Sequence, residues 1–334
     1  MMRSCILGAL LFTIAIAAPL APVFAQGPDA LTLGDAAAFV EEGRYHEAIP
    51  LLRTLTGADP TSAPAAFLLG RAYLETDDMD AAEEWFSRAV QLEENSLHRM
   101  WLGRAYGLEA QQASILRKGR LAARMRENTI RAIELDPDNV DAHEDLMEFY
   151  LQAPRIAGGD KGKARQQADE ILRLDGYRGH LAWGRVHEDA GNDAALVEWY
   201  QAAVRLNPGD RAPYTSLAYA QQRLGDYVGA RDTFFALQRQ DPSDLGVAYQ
   251  LGRNAALSGQ SLEEGERSLR RYLDAESHAE GSPSPAAAHW RLALVLEHQG
   301  RVDEAIEELE RSRALAPDLE QAEEDLRRLR NARR

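Results

Sequence analysis

The stretch GNDAALVEWYQAAVRLNPGDRAPYTSLAYAQQRLGDYVGARDTFFALQRQDPSDLGVAYQLGRNAALSG (residues 191–259) decides the fold. Gly191, Gly225 and Gly259 stand 34 residues apart, and Pro208 and Pro242 share that interval. A run of helical length lies between each glycine and the next proline, and another between that proline and the next glycine. This punctuation describes antiparallel helix pairs, with glycine closing the turn inside a pair and proline sitting in the link between pairs. A fixed period of this length marks a repeat array, in which each unit buries its apolar face against its neighbours.

The same frame extends in both directions. It is carried by Leu69-Gly70, Tyr73, Ala82, Phe86 and Ala89 in a second unit, by Gly225, Ala230, Phe234 and Pro242 in a sixth, and by Leu292-Ala293, Gly300, Ala305 and Pro317 in an eighth. These residues resemble the tetratricopeptide-repeat (TPR) family. The resemblance implies an all-α, right-handed superhelical solenoid of about eight helix pairs between Leu31 and Pro317, with the first helix of each pair lining a concave groove. It also implies that Gly70 and Ala82 sit where the two helices of a unit press together, while Tyr73 and Phe86 fill the space between units. The first unit is degenerate, with a short first helix over Ala36 to Glu42. Beyond Pro317, Leu319, Ala322, Leu326 and Leu329 recur at helical spacing among charged residues, which predicts a capping helix over 318–334. No stretch alternates with the two-residue period of a strand.

Met1 to Ala25 has the layout of a signal peptide: a cation at Arg3, an apolar stretch from Cys5 to Ala18, then Pro19, Pro22 and the small-x-small Val23-Phe24-Ala25. The expectation is cleavage before Gln26, a mature array over 26–317 in the periplasm, and no stable membrane insertion afterwards, since the apolar stretch is short of the roughly 20 residues a span needs. The formal net charge is −15, from 38 basic against 53 acidic residues, and removal of Arg3 leaves the chain more acidic still. Such a field disfavours nucleic acid and nonspecific attachment to anionic surfaces. Cys5 is the only cysteine, so the mature chain would have no disulfide, thiol chemistry or cysteine metal site.

Three segments depart from the period. Extra residues near 110–126 bring Arg117, Lys118, Arg120, Arg124 and Arg126 with no acid between Gln111 and Arg126. This basic island suits a phosphate-bearing or acidic partner, or else pairs with the protein's own acids. It lacks the interleaved aromatics that single-stranded nucleic acid would need. A second insertion, 153–163, contains Pro154 and three glycines. Gly159-Asp160-Lys161-Gly162-Lys163 is not a phosphate-binding loop, because Ala157 stands at the required first glycine, Ala164 at the magnesium-binding hydroxyl, and a helix precedes it. The segment Leu146 to Ala168, with Tyr150, Pro154, Gly158-Gly159 and Lys163-Ala164, is similar to a group of bacterial envelope TPR proteins. The third departure is the Ser, Gly and Pro-rich link 275–285.

No enzymatic constellation stands out. The eight histidines form no His-Glu-x-x-His pair, and His180 and His187 share a helix face without further ligands. Gly-x-Ser-x-Gly and Gly-x-Gly-x-x-Gly are absent. The expectation is a non-catalytic interaction scaffold with no cofactor and no metal. Its candidate site rests on a recurrence: Arg71, Arg104, Arg185 and Arg253 each follow the small residue of a first helix, with Glu148 and Tyr219 at the equivalent place in two other units. Guanidinium groups grip carboxylates in bidentate fashion, so these residues predict a groove for a protein or peptide that is acidic or ends in a free carboxylate. The alternatives are arginines that pair with acids of adjacent helices, and a structural subunit of an envelope assembly (outer-membrane, secretion or polysaccharide machinery) that uses its convex face or its insertions.

Overall fold

A computed structural model describes residues 31–279 and 281–333. The expected signal peptide, 1–25, lies outside the described residues. Seventeen α-helices and no strand occur among those residues, and the chain divides into two compact units, up to Leu92 and from Glu93 onward.

The first unit holds α1 (Leu33–Glu41), α2 (Tyr45–Ala58), α3 (Ala63–Glu75) and α4 (Met79–Leu92), each packed on the next. α1 begins earlier than the sequence suggests because Thr32 and Asp35 form a reciprocal capping box. Gly70 touches the face of Phe86 so closely that a Cβ there would lie 2.7 Å from the ring. Ala82, Phe86 and Ala89 are completely buried. The small residues thus sit at the contact within a pair, as the repeat frame requires.

The second unit continues the array through α5 (Ser96–Gln112), α6 (Ile115–Leu135), α7 (Val140–Gln152), α8 (Lys161–Leu174), α9 (Gly176–Asp189) and α10 (Asp193–Leu206). It is completed by α11 (Ala212–Arg223), α12 (Tyr227–Gln240), α13 (Leu245–Ser258), α14 (Leu262–Leu273), α15 (Pro285–His298), α16 (Val302–Leu315) and α17 (Glu320–Ala332). Consecutive helices pack together throughout, and α13 also packs on α15. The extra length near 110–126 goes into helix: α5 has 17 residues and α6 has 21, against 12 to 14 in the unit's other helices. The segment after α7 makes a single 3-10 turn, Arg155–Ala157, and Asp160 then caps α8 by accepting from the Gly162 and Lys163 amides.

The links between pairs are built from local hydrogen bonds. Asp59 accepts from the Thr61 amide and hydroxyl, and Asp241 accepts likewise from Ser243. These bonds favour the ionised carboxylate and hold both acids below their usual range. Side chains of following helices close on the proline carbonyls: Arg88 donates to Pro60, Gln240 to Pro208 and Arg271 to Pro242. In the link 275–285, His278 packs on the Tyr272 ring and bonds its carbonyl, while the Tyr272 hydroxyl donates to Pro283. At the end of the array Ala322, Leu326 and Leu329 of α17 join the core formed by Leu292, Leu296 and Leu309.

A candidate peptide-binding surface on the first helices

The recurrent arginines divide according to whether an acid reaches them. In the first unit Arg71 of α3 pairs with Glu41 of α1 at 2.5 Å. In the second, Arg104 of α5 donates to Asp145 of α7 at 2.6 Å and lies over the Trp101 ring. Burial nevertheless lifts the Asp145 carboxyl above its ordinary value, with Arg104 opposing. Both arginines therefore tie neighbouring first helices together, the structural role that the sequence left open.

Arg185 and Arg253 differ: among the described residues neither carries an ion pair. Arg185 projects from α9 into an open groove of about 460 Å³, shared with Glu148, Gln152, Glu188, Tyr200, Pro213 and Ser216. Glu148 accepts from Gln152 through one oxygen, while the other, Oε2, is buried and without a hydrogen-bond partner. The Tyr200 hydroxyl donates to Glu188 at 3.3 Å; burial, reinforced by that carboxylate, raises its pKa. The groove thus presents donor and acceptor groups side by side.

Arg253 lies at the meeting of α11, α13 and α15. Its Nη1 donates to Gln222 Oε1 at 2.6 Å, and its guanidinium sits over the Tyr219 ring, 5.9 Å from the centroid. Tyr219 itself meets Phe234 edge-on. A cation that the repeat frame did not single out, Arg291 of α15, acts on Arg253 from the helix packed against α13. Its guanidinium carbon lies over the Trp290 ring, 3.8 Å from the centroid, its Nε is buried with no hydrogen-bond partner, and no ion pair reaches it among the described residues. Burial lowers the Arg291 pKa; Tyr249 and Asp325 oppose that shift, while Arg253 adds to it. Asp325 is engaged elsewhere, accepting from Trp290 Nε1 at 2.9 Å and from Arg328. Arg253 and Arg291 thus act on one another as like charges, and neither has an ion pair among the described residues.

Several other sequence candidates make packing or pairing contacts. His180 and His187 flank a stacked Trp183–Trp199 pair, and burial lowers the pKa of both rings. Among the described residues no cluster of His, Cys, Asp and Glu could hold a metal ion. Of the basic island, Arg117 pairs with Glu109, Arg124 lies over Tyr106 and Arg126 over Phe149. Lys163 rests against Tyr150. No helix among the described residues is long and apolar enough to cross a membrane.

Two stretches, 39–105 and 249–320, match family models described as tetratricopeptide repeat. With the helical repeat array already described, these matches support a TPR-repeat protein. The solved C-terminal part of a TPR repeat-containing protein from Cytophaga hutchinsonii is 14% identical and superposes with a TM-score of 0.51, over 88% of this chain and 99% of that one. A thermophilic TPR protein of Thermus thermophilus is 20% identical, with a TM-score of 0.48 over 57% of this chain and 97% of that one. Superkiller protein 3 of Schizosaccharomyces pombe is 26% identical over 123 residues, 36% of this chain but 9% of that protein, so the chain spans less than a tenth of this curated relative. The similarity to the Cytophaga structure bears on the fold alone. TPR proteins generally bind proteins or peptides.

Proposed function

We propose that this protein is a non-catalytic scaffold that grips an acidic or carboxylate-ended peptide segment on the face shared by α11, α13 and α15. The observation that carries this reading is the pair Arg253 and Arg291 on the packed helices α13 and α15, two cations each held over an aromatic ring and neither in an ion pair among the described residues. A guanidinium pre-positioned on a ring, bonded only to neutral groups, matches a carboxylate fork at little further ordering cost. Arg185 and Glu148 supply polar contacts farther along the same series of first helices, where a peptide backbone offers both donors and acceptors. The leader-like order of Met1 to Ala25 supports a site of action outside the cytoplasm, in the periplasm.

The test uses matched synthetic peptides, ending either in a free carboxylate or in an amide, titrated against the protein while Trp290 emission is followed. A carboxylate drawn to Arg291 changes the environment of the indole beneath it. The response should favour free-acid peptides and should vanish in Trp290→Phe. Equal responses to acid and amide forms of acidic and neutral peptides alike would refute the assignment.

A further inference from the structure

We propose that the edge formed by the α5–α6 tip and the 3-10 turn after α7 docks onto an anionic lipid bilayer. Both segments join the first helix of a pair to the second, in successive pairs, so they lie side by side. The turn lies against α6, about three helical turns along it from the tip: Arg126 Nη1 sits 2.2 Å from where a Cβ on Gly158 would be. Each presents one isoleucine at its apex, Ile115 at 91% exposure and Ile156 at 99%. Isolated apolar residues on a surface are ordinary. Here two are held nearly bare on the connections of successive pairs, one at the start of α6 and one beside its middle, and each has exposed cations close in sequence. Lys118, Arg120 and Arg155 are exposed and, among the described residues, have no ion pair. No acid occurs between Gln111 and Arg126 or between Ala153 and Gly159.

The charge pattern selects the occupant. In a chain of net charge −15, an anionic bilayer repels most of the surface and attracts this edge, which fixes the orientation of approach. The isoleucines then enter the headgroup layer while the cations stay at the phosphates. An acidic peptide would use the cations alone and leave both isoleucines in water. Neither signal suffices by itself: one or two short apolar side chains or a few cations give only weak attachment, and their combination gives reversible docking.

Ser114 is exposed and makes no capping hydrogen bond, so it is a site for an environment-sensitive probe at the tip. The full chain carrying Ser114→Cys in a Cys5→Ser background, labelled with a nitrobenzoxadiazole dye, is titrated with vesicles of phosphatidylglycerol and phosphatidylethanolamine, of phosphatidylcholine alone, and with polyglutamate. The dye should shift to the blue with the anionic vesicles only. Lys118→Gln with Arg120→Gln should weaken that partition roughly thirtyfold, and Ile115→Ser with Ile156→Ser should abolish the blue shift while leaving thermal unfolding unchanged. A probe that stays in water on anionic vesicles, a response indifferent to lipid charge, or a response to polyglutamate in place of lipid would each overturn the proposal. The readout is local to the tip, so attachment through the N-terminal 25 residues does not imitate it.

Discussion

Glycine does two different jobs in this chain. At Gly225 the backbone is left-handed, φ +77°, and nothing lies within 4 Å of a Cβ, so Gly225→Ala should cost about 1–2 kcal/mol through backbone conformation alone. At Gly252 the backbone is helical, but a Cβ would fall 2.1 Å from Leu269 Cγ, and Gly252→Ala should cost about 1–3 kcal/mol through overpacking. Urea unfolding distinguishes the two mechanisms. Adding Leu269→Val should make the second substitution less costly than the sum of the single effects, and should not change the cost of Gly225→Ala. Strict additivity at both sites would contradict the steric origin. These small residues were legible in the sequence because their spacing is periodic. The state of each arginine was not, because it depends on which acid the neighbouring helix brings to it. Arg71 meets an acid 30 residues away and Arg104 one 41 residues away, past the lengthened α5 and α6. Arg253 meets only glutamines. Arg291 escaped notice because it precedes the small residue Ala293 of its helix, whereas the recurrence counted only residues that follow it.

At the scale of helices, the α9–α10 pair carries a pH dependence. His180 packs against Trp199 with Arg205 nearby, and His187 stacks on Trp183 between Arg165 and Glu198. Burial is the main cause of both lowered pKa values. The unfolded chain binds protons at these rings below pH 6.5 while the folded chain still does not, so stability is lost as pH falls from 6.5 toward the folded values. The urea midpoint should therefore drop between pH 7.5 and pH 5.5, and drop less in His180→Phe with His187→Phe. Histidine ring protons that titrate at 6.5 or above in the folded protein would exclude this mechanism. The links supply a second test. Gln240→Ala removes one of two donors to the Pro208 carbonyl, leaving the Tyr214 hydroxyl, and should cost about 0.5–1.5 kcal/mol in the same unfolding experiment. Prolines and glycines announced these links in the sequence, whereas the side chains that latch the proline carbonyls lie about 30 residues away and follow no motif.

For the whole molecule, the period gave the all-helical repeat array, its departures and the terminal helix, because each repeat reuses the same contacts. Function leaves a weaker trace, since a binding surface needs only a few side chains that the array does not itself employ. The central claim is that Arg253 and Arg291, neither in an ion pair among the described residues, form such a surface and that a carboxylate completes it. The most direct measurement is the binding of free-acid and amidated peptides to the wild-type chain and to Arg253→Gln and Arg291→Gln by calorimetry. Free-acid peptides should bind more tightly than their amides, and each substitution should weaken them about tenfold or more and erase the preference. Affinity indifferent to the terminal carboxylate, or unchanged by either substitution, would contradict the claim.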